Sequence, residues 1–275
     1  MHGFTCNAGS PTASASELKS ARGLAQSKTC RNFDRSLFLL ILFLVAALFG
    51  VHSDATAAET ATNHLRVLFL GDRAGHRPAQ RFDIIEPVLK QRGIEVTYTE
   101  SMDDLNPERL AEVDCLLIYA NITRISPEQE KAMLDFVSAG GGLAPIHCAS
   151  YCFHNSSNYI ALVGAQFRRH GTGVFKETIV KPDHPITQGL EPIESWDETY
   201  VHHRHNTNRI VLAERRDDDG AEPWTWVREH GKGRVFYTAW GHDQRTWNNA
   251  GFQTLIERGI RWSAENSPRQ AKRTN

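Results

Sequence analysis

The chain has 275 residues, with 31 Lys plus Arg set against 32 Asp plus Glu, a formal charge of −1 at pH 7. Basic residues are interspersed with acidic ones, including the run Asp217-Asp218-Asp219. This excludes a nucleic-acid partner held through a basic surface.

Near the start, Ser36 to Val51 reads SLFLLILFLVAALFGV, uncharged and preceded by Arg31 and Arg35. At about 15 apolar residues it falls short of the ~20 that span a bilayer comfortably. Ala55-Thr56-Ala57 supplies the small residues of a cleavage point, so residues 1–57 are expected to be a signal peptide and the protein to be exported, periplasmic or extracellular. The alternative is an uncleaved anchor at residues 36–51, and only then is membrane contact expected, through that segment alone. Removal of residues 1–57 leaves 26 basic against 29 acidic residues, a charge of −3. A short linker over 58–64 then leads to a domain over 65–264 and a flexible polar tail over 265–275. A remainder of about 210 residues is the size of one domain with a proper core.

Five cysteines become three after cleavage, Cys115, Cys148 and Cys152. The odd count argues against a disulfide scaffold. Cys115, inside CLLIY, reads as a packed thiol. Cys148 and Cys152 read first as packed thiols too, with a pairing in an oxidising compartment as the alternative.

After Asn63 short apolar runs alternate with amphipathic ones. LRVLFLG (Leu65–Gly71) predicts a buried strand. Arg81–Arg92 places Phe82, Ile85 and Leu89 on one helical face, with Pro87 as a kink or early stop. Strands follow at Ile94–Thr99 and Asp114–Ala120. Ser126-Pro127-Glu128 opens a helix that Gly140 ends, and Leu143–His147 is a fourth strand. Strands separated by helices in this way predict a doubly wound, mostly parallel sheet. Further on, Thr178–Lys181 and Arg209–Glu214 read as strands, and EPWTWVREHGKGRVFYTAWGH reads as a hairpin turning at His230–Gly233. Thr246–Ser263 reads as a closing helix.

Ligands of such sheets bind beyond the carboxyl ends of the strands. His147 lies at one of those ends, and the loops Gly71–Arg77 and Asn121–Ser126 follow two others. Topology therefore directs His76, Asn121 and His147 to one crevice, and Gly241-His242 ends the second hairpin strand. By contrast His154, His170, His184, His202, His203 and His205 read as loop histidines without chemistry, since histidine is often partly exposed. For His184, just before Pro185, the expected task is a structural hydrogen bond.

GGGLAPIH, DHPITQGL, WDETY and GKGRVFYTAWGH, in this order and spacing, resemble the trehalose-utilisation (ThuA-like) family over roughly Leu65–Ser263. The resemblance implies a class I glutamine amidotransferase-like fold, a flavodoxin-like three-layer α/β sandwich with a C-terminal hairpin and closing helix. It also implies carbohydrate catabolism, with members linked to oxidised (3-keto) sugars or glycosides.

In that fold a catalytic cysteine occupies the sharp turn after the strand ending here. Such an elbow needs small residues two positions to either side of its tip. His147 at the tip is flanked by Pro145 and Ala149, whereas Cys148 would be flanked by Ile146 and Ser150, and Ile146 is too bulky. A histidine in place of the cysteine matches the ThuA-like pattern and makes glutamine hydrolysis unexpected.

A histidine there can ligate a metal or move protons. Its expected partners are His76, His242 and either Asp197 or Glu198. These last two point to opposite faces of an extended strand, and Glu198 is chosen because it matches the family's acidic position. His76, His147, Glu198 and His242 are the candidate metal ligands, for a divalent ion with zinc first. His147, His242 and Glu198 are the candidate catalytic groups, and Asn121, Tyr200 and Trp240 the candidate substrate-binding ones. No nucleotide cofactor is expected. The expected function is an exported enzyme that transfers a proton beside the carbonyl of a keto-sugar or glycoside, as an isomerase, lyase or hydrolase. The alternative is a non-catalytic carbohydrate-binding or accessory module.

Overall fold

The computed structural model describes residues 64–218 and 220–272. The expected signal peptide over 1–57, the alternative anchor at 36–51 and residues 58–63 of the expected linker lie outside the described residues. Among those described, no helix is long and apolar enough to cross a membrane.

Five strands form the parallel part of the main sheet: β1 (Leu65–Leu70), β2 (Ile94–Thr99), β3 (Cys115–Ile118), β4 (Gly142–Pro145) and β10 (Gly233–Thr238), in the spatial order β2-β1-β3-β4-β10. Antiparallel strands β9 (Gly220–His230), β8 (Ile210–Asp217) and β6 (Thr178–Ile179) extend it beyond β10 to eight strands. β3 and β4 are buried at every position, as expected of parallel strands covered on both faces.

Helix α1 (Pro78–Gln91) starts three residues before the sequence predicts, because Pro78 supplies a ready-made first turn. It runs through Pro87 without stopping. Pro87 and Asp83, the residue whose carbonyl loses its partner, are both exposed, so the break in the helix ladder falls on the solvent side. Beyond a single turn α2 (Pro107–Leu110), helix α3 (Pro127–Ser138) carries a complete capping box: Ser126 Oγ accepts from Gln129 N, and Gln129 Oε1 accepts from Ser126 N.

Each residue of the glycine triplet after α3 has its own reason. Gly140 has φ +120°, reached readily by glycine alone. A Cβ on Gly141 would meet the Phe136 ring, and one on Gly142 would lie 2.8 Å from the Ser263 backbone. The closing helix can thus pack directly on β4. It is α6 (Ala250–Ala264), preceded by the single turn α5 (Gln244–Trp247). The one helix expected over Thr246–Ser263 is therefore corrected to two, because the Asn249 side chain accepts from Gly251 N and Phe252 N and starts a new helix.

Besides the single turn α2, two further elements lack a counterpart in the sequence reading. Helix α4 (Ser157–Val163) follows the His147 turn, and β5 (Gln166–Lys176) pairs antiparallel with β7 (Glu194–His203) as a separate two-stranded ribbon. Within the tail expected from 265, Ser267 is buried, its hydroxyl donates to Asp114 Oδ1 (2.8 Å), and Pro268–Ala271 form a last turn, α7.

Gly142→Ala should be destabilising by about 1–3 kcal/mol, because its methyl group meets backbone that cannot rotate away. Urea melts of the two proteins measure this directly, and an unchanged midpoint would contradict the close α6–β4 packing.

Candidate metal centre

Strand β4 ends at Pro145, and His147 follows in the left-handed region with φ +49°. For a residue other than glycine that conformation costs about 1–3 kcal/mol and must be held by its surroundings. His147 is fully buried. Its Nδ1 lies 2.6 Å from the Ala239 carbonyl, so Nδ1 carries the proton and Nε2 is left with its lone pair. The Tyr200 ring stacks on the imidazole with a centroid separation of 4.2 Å.

His76 arrives from the loop after β1. Asp72 shapes that loop by accepting from Ala74 N (2.8 Å) and from Asn121 N. The Asn121 amide in turn lies 3.1 Å from His76 Nδ1. Burial, followed by the neighbouring His147 and His242, pushes the His76 pKa down to about 3, so the ring is neutral.

His242 sits in a turn pinned from every side. Asp197 accepts from Gly241 N and His242 N (3.0 Å each) and from Thr246 Oγ1 (2.6 Å). The Gly241 carbonyl accepts from Tyr119 Oη and Trp247 Nε1, and the His242 carbonyl from Arg81. Gly241 has φ +134°, and a Cβ there would lie 3.3 Å from that of His147.

Glu198 comes from β7. Its Oε2 lies 3.2 Å from His147 Nε2 and its Oε1 3.1 Å from His242 Nδ1. Burial raises the Glu198 carboxyl, but the His147 and His242 imidazoles beside it outweigh this and hold it well below the usual carboxylate range. The Glu198 carboxylate 3.1 Å away, ahead of the opposing effect of burial, raises the His242 pKa.

One donor atom from each of His76, His147, Glu198 and His242 lies within 4.8 Å of the other three. His76 Nε2, His147 Nε2 and His242 Nδ1 are buried without an aligned hydrogen-bond partner, the two contacts with Glu198 being close in distance but not in angle. Ligands about 2.0–2.2 Å from a tetrahedral ion sit roughly 3.4 Å apart. Three unpartnered imidazole nitrogens and a carboxylate at this spacing form a cluster able to coordinate a divalent cation.

Of the other site residues expected from sequence, Asn121 meets the cluster through His76 and Tyr200 through His147. Trp240 is a correction. Its indole is buried, stacked on Phe175 at 4.4 Å, and donates to Glu177 Oε2 (2.8 Å), so it forms no part of a pocket wall. Burial raises the Glu177 carboxyl to about 7. Cys148 and Cys152 are unpaired and buried, and Cys152 Sγ donates to the Ala120 carbonyl. Sequence reasoning missed two residues here. Asp197 is the clamp of the His242 turn rather than an alternative ligand. His170, on β5 opposite Tyr200, places Nδ1 3.5 Å from Glu198 Oε1 with 39% of its side chain exposed. Its only sequence signal was the polar run RRHGTG, and its proximity depends on the β5–β7 pairing.

Asp197→Asn keeps the side-chain shape but turns an NH2 group toward a donor, removing charge-assisted hydrogen bonds worth about 1.5–3 kcal/mol each. We expect a lower melting temperature and weaker zinc retention on dialysis. Wild-type retention would show that the His242 turn holds without the clamp.

The ThuA family, described as trehalose utilisation, matches residues 66–263. Among curated proteins no significant match is found. Among solved structures, a ThuA-like protein from Parabacteroides merdae has a TM-score of 0.65 and 18% identity over 73% of this chain and 90% of its own. A ThuA-like protein from Bacteroides uniformis has a TM-score of 0.63 and 16% identity over 74% and 93%. A β-galactosidase from Rahnella sp. R3 has a TM-score of 0.53 and 15% identity over 74% of this chain but only 32% of its own. With the family match spanning most of the sequence, this chain belongs to the ThuA, trehalose-utilisation, family of carbohydrate-catabolism proteins.

Proposed function

We propose that the protein is an exported enzyme of carbohydrate catabolism that acts on an oxidised (keto) sugar or glycoside by proton transfer beside its carbonyl. The observation that carries this reading is the convergence of three unpartnered imidazole nitrogens and one carboxylate beyond the carboxyl ends of β4 and β10. The order β2-β1-β3-β4-β10 is that of flavodoxin-like sheets, which supports the kinship with class I glutamine amidotransferases. Glutaminase chemistry is unsupported, since burial raises the Cys148 thiol well above its ordinary value and no thiolate is at hand.

His76, His147, Glu198 and His242 would hold a divalent cation, zinc first by donor type. Such an ion supplies Lewis-acid polarisation of a substrate carbonyl. His147, fully buried, orients and holds, while His242, 32% exposed, is open to solvent. His170 stands outside the four donors and is the imidazole placed to take a proton from the carbon next to the carbonyl. The C–H electron pair then forms a carbon–carbon double bond as the carbonyl π pair moves onto oxygen, giving an enolate. Transfer of the neighbouring hydroxyl's proton to that oxygen, with return of the abstracted proton to the former carbonyl carbon, completes an isomerisation; departure of a β-oxygen substituent, which takes up the abstracted proton, completes an elimination.

Three measurements on full-length protein purified without chelators test this reading. About one equivalent of divalent cation is expected, with turnover of 3-keto-glycosides and none of unmodified disaccharides. His147→Ala and His242→Ala should lose both cation and turnover. His170→Ala should keep the cation but lose roughly 10²–10⁴-fold in rate. Cation-loaded protein that binds keto-glycosides without converting them would identify a binding module instead. Cation affinity should also depend on pH, because protons compete for the ligands. His76 is neutral down to about pH 3, whereas His242 has a raised pKa, so binding should weaken as pH falls through the His242 titration. Zinc affinity that stays flat from pH 8 to pH 5 would remove His242 from the ligand set.

A further inference from the structure

Behind the cluster runs a chain of buried polar groups that touches none of the four donor side chains. Glu222, on β9, accepts at Oε1 from both His202 N (3.1 Å) and His202 Nδ1 (2.9 Å). His202, on β7, is completely buried, and its Nε2 lies 3.0 Å from the Tyr237 hydroxyl. Tyr237, on β10, places that hydroxyl 3.0 Å from Ser150 Oγ and 3.1 Å from the carbonyl oxygen of His147. Ser150 Oγ donates to the same carbonyl at 3.1 Å. The His202 and Tyr237 rings pack edge to face with centroids 5.6 Å apart, and both lie against Trp226.

Two consequences follow from where this chain is attached. Its inner end is the backbone carbonyl of the one donor residue in the left-handed conformation. An L-residue relaxes from that conformation by rotating its peptide planes, which swings the carbonyl away. Fixing the carbonyl through the Ser150 hydroxyl, itself held against Tyr237 Oη, while Ala239 fixes the ring through Nδ1, leaves His147 no such rotation and keeps Nε2 aimed at the cluster. The outer end bears on Glu198. His202 is four residues further along β7, hence on the same face of the strand. It ties the separate β5–β7 ribbon to β9 and β10 of the main sheet. Asp197 ties the same strand to the His242 turn on the other side of Glu198. The carboxylate, brought by one sheet to meet ligands from another, is thus bracketed by two braces.

We propose that Glu222, His202 and Tyr237 are positioning residues for the cation site: they set the His147 elbow and the approach of Glu198, so their loss weakens cation binding while all four ligands remain. This rests on the reading of His76, His147, Glu198 and His242 as a cation site. Outer-sphere partners of metal ligands typically contribute 10–100-fold to affinity.

Co²⁺ titration of the full-length protein, followed by its visible absorption, provides the test. Tyr237→Phe removes one oxygen and keeps the ring, so it is the variant expected to fold, and its Co²⁺ dissociation constant should rise roughly 10- to 100-fold with an altered ligand-field spectrum. His202→Ala should behave likewise. Glu222→Gln keeps an acceptor for both His202 N–H groups and should remain close to wild type. Leu89→Ala, a buried change on α1 away from the chain, serves as the control for general destabilisation and should leave Co²⁺ affinity and spectrum unchanged. Wild-type affinity and spectrum in Tyr237→Phe would overturn the proposal and leave the cation site standing. Failure of the wild-type protein to bind Co²⁺ would overturn the cation site and this proposal with it.

Discussion

The parallel pairing of β4 with β10 is the constraint on which the rest of the site depends. The two strands are far apart in sequence yet hydrogen-bonded neighbours in the sheet, with Gly142 opposite Arg234 and Leu143 opposite Val235. Their carboxyl ends therefore emerge side by side. One presents His147 and the other His242, and the hydrogen bond between His147 Nδ1 and the Ala239 carbonyl closes the pair. Parallel strands cannot be joined by a tight turn, so the long connection had to contain other structure, and here it contains the ribbon that carries Glu198.

That ribbon is the less ordinary part of the design. A two-stranded sheet is marginal by itself, and this one is secured by polar groups at depth as well as by Phe167, Phe175 and Tyr200 packed against the core. Asp197 is wholly buried and has its charge spread over backbone N–H groups and a hydroxyl. A buried carboxylate is tolerable only when satisfied in this way. The alternation of strand side chains then does the rest: Asp197 turns to the His242 loop, and Glu198, one residue on, turns to the imidazoles.

Much of this was legible in the sequence because it rests on local signals. LRVLFL, IEVTYT and the Ser126-Pro127 cap predicted their elements to within a residue or two. The residues directed to the crevice by strand ends, His76 and His147, owe their meeting to topology, which a pattern of alternating strands and helices determines. What escaped depends on long-range pairing. The strand RRHGTGVFK is mostly exposed and interrupted by Gly171 and Gly173, so it has no period-two signature, and nothing local shows that His170 faces Glu198. Trp240 misled for the opposite reason. It adjoins the His242 turn in sequence, but beyond the end of β10 its ring packs inward on Phe175 and donates to Glu177. His202, inside a run that read as a bland loop, is a strand residue with both ring nitrogens engaged.

The three cysteines of the described domain have a consequence for where it can live. Each thiol is buried, none is paired, and burial raises the pKa of all three. Thiolate, the form that oxidants and other thiols attack, is therefore scarce. The domain neither gains a cross-link in an oxidising compartment nor loses one in a reducing one. Its fold is redox-neutral, and maturation on either side of a membrane makes no demand on disulfide-forming machinery.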